Sequence, residues 1–393
     1  MSSENNLQYD IVIIGGGMVG QAFALSMINK GLKIIIIESN YFNPKLQDKY
    51  HTRVSAITFK SETLLRNIGV WRLIKRKYAF TDIHIWDQNS HGSLDFHSQD
   101  EDINQLGYII ENDAIQSAMY TILEKTRVEF ICAELNAINK IDNGYQVDLN
   151  SNHKITCGLL VGADGAKSNV RELAGIEFSE NNYQQKAFVC NIESLQSFQN
   201  TIWQRFLSDS IIALLPLSDK QASIVWSAEN NLADELIQLS VKQFADRLSK
   251  GVEYKFSRFK VVSGIKSFKL IERSAQDYIK RNLVLIGDAA HNIHPLGGQG
   301  VNLGFSDVIE LSQQIQDNYK PLGDYLVLRK YARSRRLNNE LMAKTMTGLN
   351  WIYKENNEPL RWLRGFGMNL INENKTLKSY LQKKASGSKL LNI

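Results

Sequence analysis

Three glycines, Gly15, Gly17 and Gly20, stand in the pattern G-x-G-x-x-G within "YDIVIIGGGMVGQAFALSMINKGLKIIIIES", and an acid, Glu38, closes the same stretch. Residues of these types at this spacing hold a dinucleotide. The first glycine permits a tight turn, the second lets backbone N–H groups approach a pyrophosphate, and the third lets a helix pack on the strand before it. An acid about 20 residues further on accepts hydrogen bonds from ribose hydroxyls. A second group lies far downstream in "GDAAHNIHPLGGQGVNLG", from Gly287 to Gly304. There Asp288 follows a glycine, His291 and His294 precede Pro295, and Gln299 stands between Gly298 and Gly300.

Each group needs elements to hold it. Ile11 to Ile14 form a continuous β-branched run, the signature of a parallel strand covered on both faces. The helix after the glycines points its N-terminus at the anion, where unpaired N–H groups and the macrodipole favour negative charge. A second strand, Lys33 to Ile37, delivers Glu38, whose charge repels an NADP 2′-phosphate.

Downstream, Leu283 to Ile286 read as another strand, and a helix follows Gly300. A simple NAD dehydrogenase has no use for this second strand, acid, loop and helix, whereas a long flavin cofactor has. Asp288 then accepts hydrogen bonds from the ribityl chain. Gly298, Gly300, Val301 and Asn302 supply backbone near the ring and open a helix whose positive end favours charge on the reduced flavin. The expected cofactor is FAD.

With 393 residues, 43% hydrophobic and 22% charged, the chain has the composition of a globular protein of two or three compact units. The net charge of +5 and pI near 8.8 come from cations spread among nearly as many acids, which excludes a nucleic-acid footprint. The tail is the exception: Arg361, Arg364, Lys375, Lys378, Lys383, Lys384 and Lys389 face only Glu373. Cys132, Cys157 and Cys190 form neither a CxxC motif nor a redox pair, so three buried thiols in a reducing cytosol are expected. The polar start and the lack of an 18-residue apolar run predict a cytoplasmic protein that is not integral to a membrane.

The middle of the chain changes period. "KAFVCNIES", "TIWQRFLS", "IIALLPLS" and "QASIVWSA" are short β-branched and aromatic runs between polar turns, the pattern of an antiparallel sheet whose aromatic and aliphatic positions are mostly core. "FTDIHIWDQNSHGSLDFH" adds a strand pair turning at "NSHG". The predicted fold is α/β, with a Rossmann-like FAD-binding domain (1-75, 100-180 and 270-340) interleaved with an antiparallel-sheet substrate domain (76-99 and 181-269) and a helical C-terminal segment (341-393). In that last segment Leu360, Trp362, Leu363, Phe366, Met368, Leu370 and Ile371 alternate with cations. Such a segment docks on its own protein, on an anionic bilayer or on a partner.

Over nearly its whole length the sequence resembles the ubiquinone-biosynthesis group of FAD-dependent hydroxylases, among the p-hydroxybenzoate-hydroxylase-type aromatic monooxygenases. The resemblance rests on "GGGMVG", "TRVSAITFKSETLLRNIGVW", "ENDAIQSAM", "VGADGAKSNVRELAGI", "LLPLSDKQASIVWS", "GDAAHNIHPLGGQGVNLGFSDV" and "GLNWIYKENNEPLRWLRGFGMNLIN". It implies FAD contacts from Arg53 and Gln116, a second nucleotide-proximal motif in Gly162 to Gly165 with Asp164 and Arg171, and "HPLGGQG" beside the flavin face, where His294, Pro295 and Gln299 are the catalytic candidates. His51 departs from the pattern, standing where the family carries an acid two residues before Arg53.

The implied reaction is ring hydroxylation of a polyprenylphenol by O2 through a flavin C4a-hydroperoxide. NADH or NADPH binds transiently, since no second G-x-G-x-x-G is present. Partners implied for the basic C-terminus are a peripheral membrane surface or other ubiquinone-biosynthesis proteins.

Other readings stay open beside this one: a hydroxylase of another small aromatic, or a flavin-holding scaffold without catalysis. A disulfide reductase would need a second Rossmann unit and a cysteine pair. A halogenase would carry a "WxWxIP"-like stretch, and neither is present. Residue by residue, Asp164 fits a plain turn, Arg53 a surface ion pair, and His291 and His294 structural hydrogen bonds rather than metal ligands, there being no further ligand nearby.

Overall fold

The computed structural model describes residues 7–40, 46–88, 92–151, 153–292, 300–354, 371–374, 376 and 378–379. Two large sheets and one small one organise them. The first sheet runs β18 (Ile279–Lys280), β19 (Leu283–Leu285), β11 (Lys154–Gly162), β1 (Leu7–Ile14), β2 (Ile34–Glu38) and β8 (Glu129–Cys132), with β10 (Gly144–Leu149) and β9 (Leu135–Ile141) added beyond β11. Its central strands, β19, β11, β1, β2 and β8, are parallel. Ile11 to Ile14 and Ile34 to Ile37 are all buried, because helices cover the sheet. Each such side chain contributes about 1.5–3 kcal/mol by leaving water.

Around the strands are α1 (Met18–Met27), α3 (Asn112–Leu123) and α7 (Gly300–Gln316), with α8 (Tyr325–Lys354) packed on α7. Two shorter helices, α2 (Phe59–Asn67) and α4 (Asn169–Leu173), follow the loops that reach the nucleotide side.

The second sheet runs β20 (His291–Asn292), β17 (Lys266–Ala275), β12 (Phe178–Glu193), β15 (Gln221–Glu229), β14 (Ser210–Pro216), β13 (Thr201–Phe206), β5 (Asp82–Asp87) and β6 (Ser93–His97), with β16 (Lys260–Val261) beside β12. Along that path β13–β5 is the one parallel pair, and it joins an upstream hairpin to the middle of the chain. A three-stranded sheet of β3 (Val54–Ile57), β7 (Gly107–Glu111) and β4 (Tyr78–Phe80) lies between.

Register sorts the faces of the second sheet. Phe188, Trp226, Ile212 and Arg205 are cross-strand neighbours on one face, which α5 (Asn230–Gln238) and α6 (Val241–Gly251) cover. The alternate residues, Val189, Val225, Ala213, Gln204 and Ile85, share the opposite face with Asn191 and Ser223. Ser223 Oγ donates to Thr52 O and Asn191 Nδ2 to Tyr50 O, so this second face looks toward the segment that carries Arg53.

Several expectations shift. The second strand starts at Ile34 rather than Lys33 and ends in Glu38, and the downstream strand ends at Leu285 rather than Ile286. Cys132 is exposed, while Cys157 and Cys190 are buried: β8 is an outer strand, and its last residue emerges from the sheet. A boundary at 341 cuts through α8, which runs unbroken across it. Leu360, Arg361, Trp362, Leu363, Arg364, Phe366, Met368, Leu370, Lys375, Lys383, Lys384 and Lys389 lie outside the described residues. Of the tail's cations Lys378 is described, and it is buried against Asp100 at 2.8 Å; nearby, the Asn372 side chain accepts from Asp95 N at 3.3 Å.

Candidate active site

The chain passes from β19 through a 3-10 turn, Gly287–Ala289, straight into β20, and so crosses from the first sheet to the second within six residues, 286–291. Asp288 sits at that crossing. Here the two glycine groups of the sequence meet: a Cβ on Gly287 would lie 3.2 Å from Val19, in the first turn of α1, and one on Gly304 would lie 2.6 Å from the same valine. Only glycine lets the downstream turn and α7 come this close to α1, and Gly287 also takes φ +62.

The upstream turn has the form a pyrophosphate requires. Gly15 adopts φ +107, and a Cβ there would meet Ala163 O at 2.3 Å; a Cβ on Gly20 would meet Gly15 O at 2.0 Å. Gly17, by contrast, opens α1 from an extended conformation with nothing within 4 Å of where a Cβ would stand. No side chain caps this helix, and no acid occupies its first turn. Its free N–H groups therefore face open space, the arrangement that takes an anion.

Glu38 lies beside the turn, its Oε2 accepting from Gly16 N at 2.7 Å and its Oε1 from Asn40 N at 3.0 Å. Gln116, on α3, donates to Gly16 O at 3.0 Å, and Gln21, which the sequence did not single out, donates to the same oxygen at 2.7 Å. Asp164 faces inward: its carboxylate accepts from Ser168 Oγ at 2.5 Å and Val170 N at 3.1 Å, capping α4. Burial raises its pKa against those bonds. Arg171 is buried too, and donates to Ala289 O at 2.8 Å and Ala166 O at 3.0 Å, lashing this motif to the downstream turn.

Asp288 is exposed to solvent on one side, yet the protein packed around its other side raises the carboxyl's pKa against the charge of His291, an Asn292 hydrogen bond and the charge of Arg53. Arg53 itself is exposed, and the backbone around it is held by other groups. Glu111 accepts from His51 N at 2.7 Å and pairs with Arg76 at 2.9 Å, while the His51 ring accepts from Arg53 N at 3.3 Å.

Gly300 and Val301 open α7. For Asn302 the expectation is backbone beside the ring, and its side chain is committed elsewhere. Its Oδ1 accepts from Ser61 Oγ at 2.7 Å and Thr58 N at 3.2 Å, and its Nδ2 donates to Ala56 O at 2.7 Å, so the amide is spent stapling α7 to β3 and α2. What it offers outward is backbone. Gly298, His294, Pro295 and Gln299 fall outside the described residues. His291 is a hydrogen-bonding residue, joined to Asp307 at 2.6 Å, and among the described residues no cluster of His, Cys, Asp and Glu forms a metal site.

The sequence pattern of the FAD binding domain matches residues 8–345 of this chain. The ubiquinone biosynthesis monooxygenase COQ6 of Danio rerio is 33% identical, over 98% of this chain and 91% of that protein. The chain belongs to the ubiquinone-biosynthesis FAD-dependent hydroxylase family. A second relative of this hydroxylase, the 3-demethoxyubiquinol 3-hydroxylase of Escherichia coli K12, is 32% identical over 97% of this chain and 99% of its own. Among solved structures, the p-nitrophenol 4-monooxygenase PnpA of Pseudomonas putida DLL-E4 shares the fold, with a TM-score of 0.77 at 17% identity over 96% of this chain and 98% of that one.

FAD is therefore the hydroxylase's cofactor, and the uncapped α1 N-terminus, the open space at Gly17 and the acids at 38 and 288 suit its pyrophosphate, adenosine ribose and ribityl chain in turn. The sequence reading also passed over one buried carboxylate. Asp307 is a fully buried carboxylate in the middle of α7, and its only signal was an acid inside the apolar stripe of "GFSDVIEL".

Proposed function

We propose that this chain hydroxylates the aromatic ring of a polyprenylated phenol or quinol intermediate in ubiquinone biosynthesis. The carrying observation is the meeting of the two glycine groups across Val19, at the turn that carries Asp288, with the second sheet's Asn191 and Ser223 hydrogen-bonded to the segment that carries Arg53. The net reaction takes one ring C–H, O2, NAD(P)H and a proton, and gives the ring hydroxyl, NAD(P)+ and water. Bound FAD supplies the redox chemistry, accepting a hydride and activating O2.

The chain's own residues bind, orient and keep the site dry. Backbone N–H groups from Gly17 to Gly20 hold the pyrophosphate, Glu38 the adenosine ribose and Asp288 a ribityl hydroxyl. The N-terminus of α7 at Gly300, Val301 and Asn302 favours negative charge on the pyrimidine side of the ring. Arg53 and Gln116 complete the cofactor's contacts, and Asp164 does so through its backbone. His294, Pro295 and Gln299 belong to the reacting end in this reading.

Val189, Val225, Ala213 and Ile85 form the wall against which an apolar substrate excludes water, so that oxygen reaches the ring instead of escaping as peroxide. Gln204, the polar member of that row, is the side chain that offers the substrate a hydrogen bond. Among the described residues no helix is long and apolar enough to cross a membrane. Peripheral attachment to a bilayer or to other enzymes of the same pathway through the basic C-terminus is part of this proposal.

The test is aerobic NAD(P)H consumption by the purified yellow protein with and without a short-chain prenylphenol, with product and H2O2 measured together. Substrate-stimulated oxidation yielding a hydroxylated ring and little peroxide is expected. Reduction of FAD with no product from any prenylphenol would overturn the reading in favour of a flavin scaffold.

A further inference from the structure

Asp307 is 0% exposed, seven residues into α7, and every oxygen lone pair it commits goes to the turn behind Asp288 or to α8. Its Oδ2 accepts from Gly287 N at 2.8 Å and from His291 Nε2 at 2.6 Å, the two ends of the turn that displays Asp288. Its Oδ1 accepts from Arg335 Nε, on α8, at 2.6 Å. Complete burial pushes the carboxyl's pKa up, but His291 and Arg335 outweigh it and hold the group ionised, below its usual value.

Arg335 is itself buried and also reaches Asn339 Oδ1 at 2.8 Å, while Tyr331, one turn earlier, donates to Leu285 O at 2.9 Å. So α8 grips the strand and turn that precede the flavin crevice, and the strongest part of the grip is a charge pair in the dry interior. One partner removed leaves the other charge buried and unpaired, a far larger change than loss of a surface pair.

We propose that Asp307 is a positioning residue that fixes the turn bearing Asp288 to α8, so that flavin binding and the order of α8 are linked through it. The proposal rests on the flavin reading above. Linkage of this kind is reciprocal: if the docked α8 favours the flavin-competent turn, bound flavin favours the docked α8 by the same factor.

The experiment uses the full chain. The protein is stripped of FAD and retitrated by flavin fluorescence, and amide hydrogen exchange over residues 325–342 is followed with and without FAD. In the parent, FAD should slow exchange in that segment. In Asp307→Asn, FAD affinity should fall about tenfold or more, as expected for a lost charged hydrogen bond, and the FAD-dependent protection should disappear.

Should Asp307→Asn not fold, the double variant Asp307→Asn/Arg335→Gln leaves no unpaired buried charge and gives the same readouts. Where the single variant does fold, the double variant's loss of affinity should be no greater than its own, the non-additivity of two residues acting as one unit. A merely structural role would lower the melting temperature yet leave the FAD-dependent protection intact. Unchanged affinity, or equal protection in parent and variant, overturns the linkage. A parent protein that takes up no FAD overturns the proposed function instead.

Discussion

Gly20 packs so tightly on Gly15 that a Cβ at position 20 would stand 2.0 Å from the Gly15 carbonyl oxygen, while a Cβ at Gly17 would meet nothing. The two glycines answer different needs. Gly20 lets α1 lie against its own strand. Gly17 leaves open space at the helix end, the place the proposed cofactor contacts assign to a pyrophosphate.

A pair of variants separates these needs. Gly20→Ala should destabilise the apoprotein by a few kcal/mol, since backbone rather than a flexible side chain must move; losses above about 4 kcal/mol would be exceptional. Gly17→Ala, at φ −71 and ψ −178, is compatible with an L residue and should leave apoprotein stability within about 0.5 kcal/mol of the parent, yet weaken FAD at least tenfold. Chemical denaturation of the apoproteins and flavin titration measure the two effects. If Gly17→Ala bound FAD as the parent does, the cofactor would not pass over that position.

The thiols give a second contrast. Burial pushes Cys157 and Cys190 up to about 12, whereas Cys132 is exposed at the end of β8. Only the thiolate attacks an alkylating or disulfide reagent. A folded-state pKa raised this far keeps both buried thiols protonated throughout neutral and mildly alkaline pH, and their thiolates would appear only as pH rose toward 12. At pH 8 the native protein should therefore react rapidly at Cys132 alone, and at all three positions after unfolding, as peptide mass mapping of the labelled sites will show. Rapid native labelling of Cys157 would mean that β11 opens far more readily than its place in the sheet allows.

What the sequence made legible was local. The strands of Ile11 to Ile14 and Ile34 to Ile37, the turn at Gly15 to Gly20 and the helix after Gly300 are each written in consecutive residues, and period and glycine spacing sufficed to read them. Asp288 was legible because it follows a strand and a glycine.

Long-range partners were not. Nothing in "GFSDVIEL" says that Asp307 will meet Arg335, nor does His51 announce that Glu111 and Arg76 will take over the bracing of its loop, because those residues meet only once two sheets and two helices have packed. The exposure of Cys132 likewise follows from β8 standing at an edge, which depends on strand order rather than on the residue's own neighbours.

Asn302 is the instructive case. Its position in the glycine loop suggests backbone near the ring and says nothing of its side chain, whose amide closes a buried network with Ala56, Thr58 and Ser61 that fixes how α7 starts. Asn302→Ala leaves the Ala56 carbonyl and the donors of Thr58 and Ser61 without this partner. Buried groups stripped of a partner cost about 1–3 kcal/mol each, so a loss of about 2–4 kcal/mol is expected after partial re-pairing between Thr58 and Ser61.

Asn302→Asp should fare little better, since it keeps an acceptor for the Thr58 and Ser61 donors but sets a second acceptor, and a charge, against Ala56 O. In the proposed function the N-terminus of α7 faces the cofactor, so both variants should weaken FAD along with the fold. Denaturant midpoints for the apoproteins and FAD titrations on the same samples measure this. A variant that lost FAD affinity with no loss of apoprotein stability would show that the side chain meets the flavin directly, contrary to the staple described here.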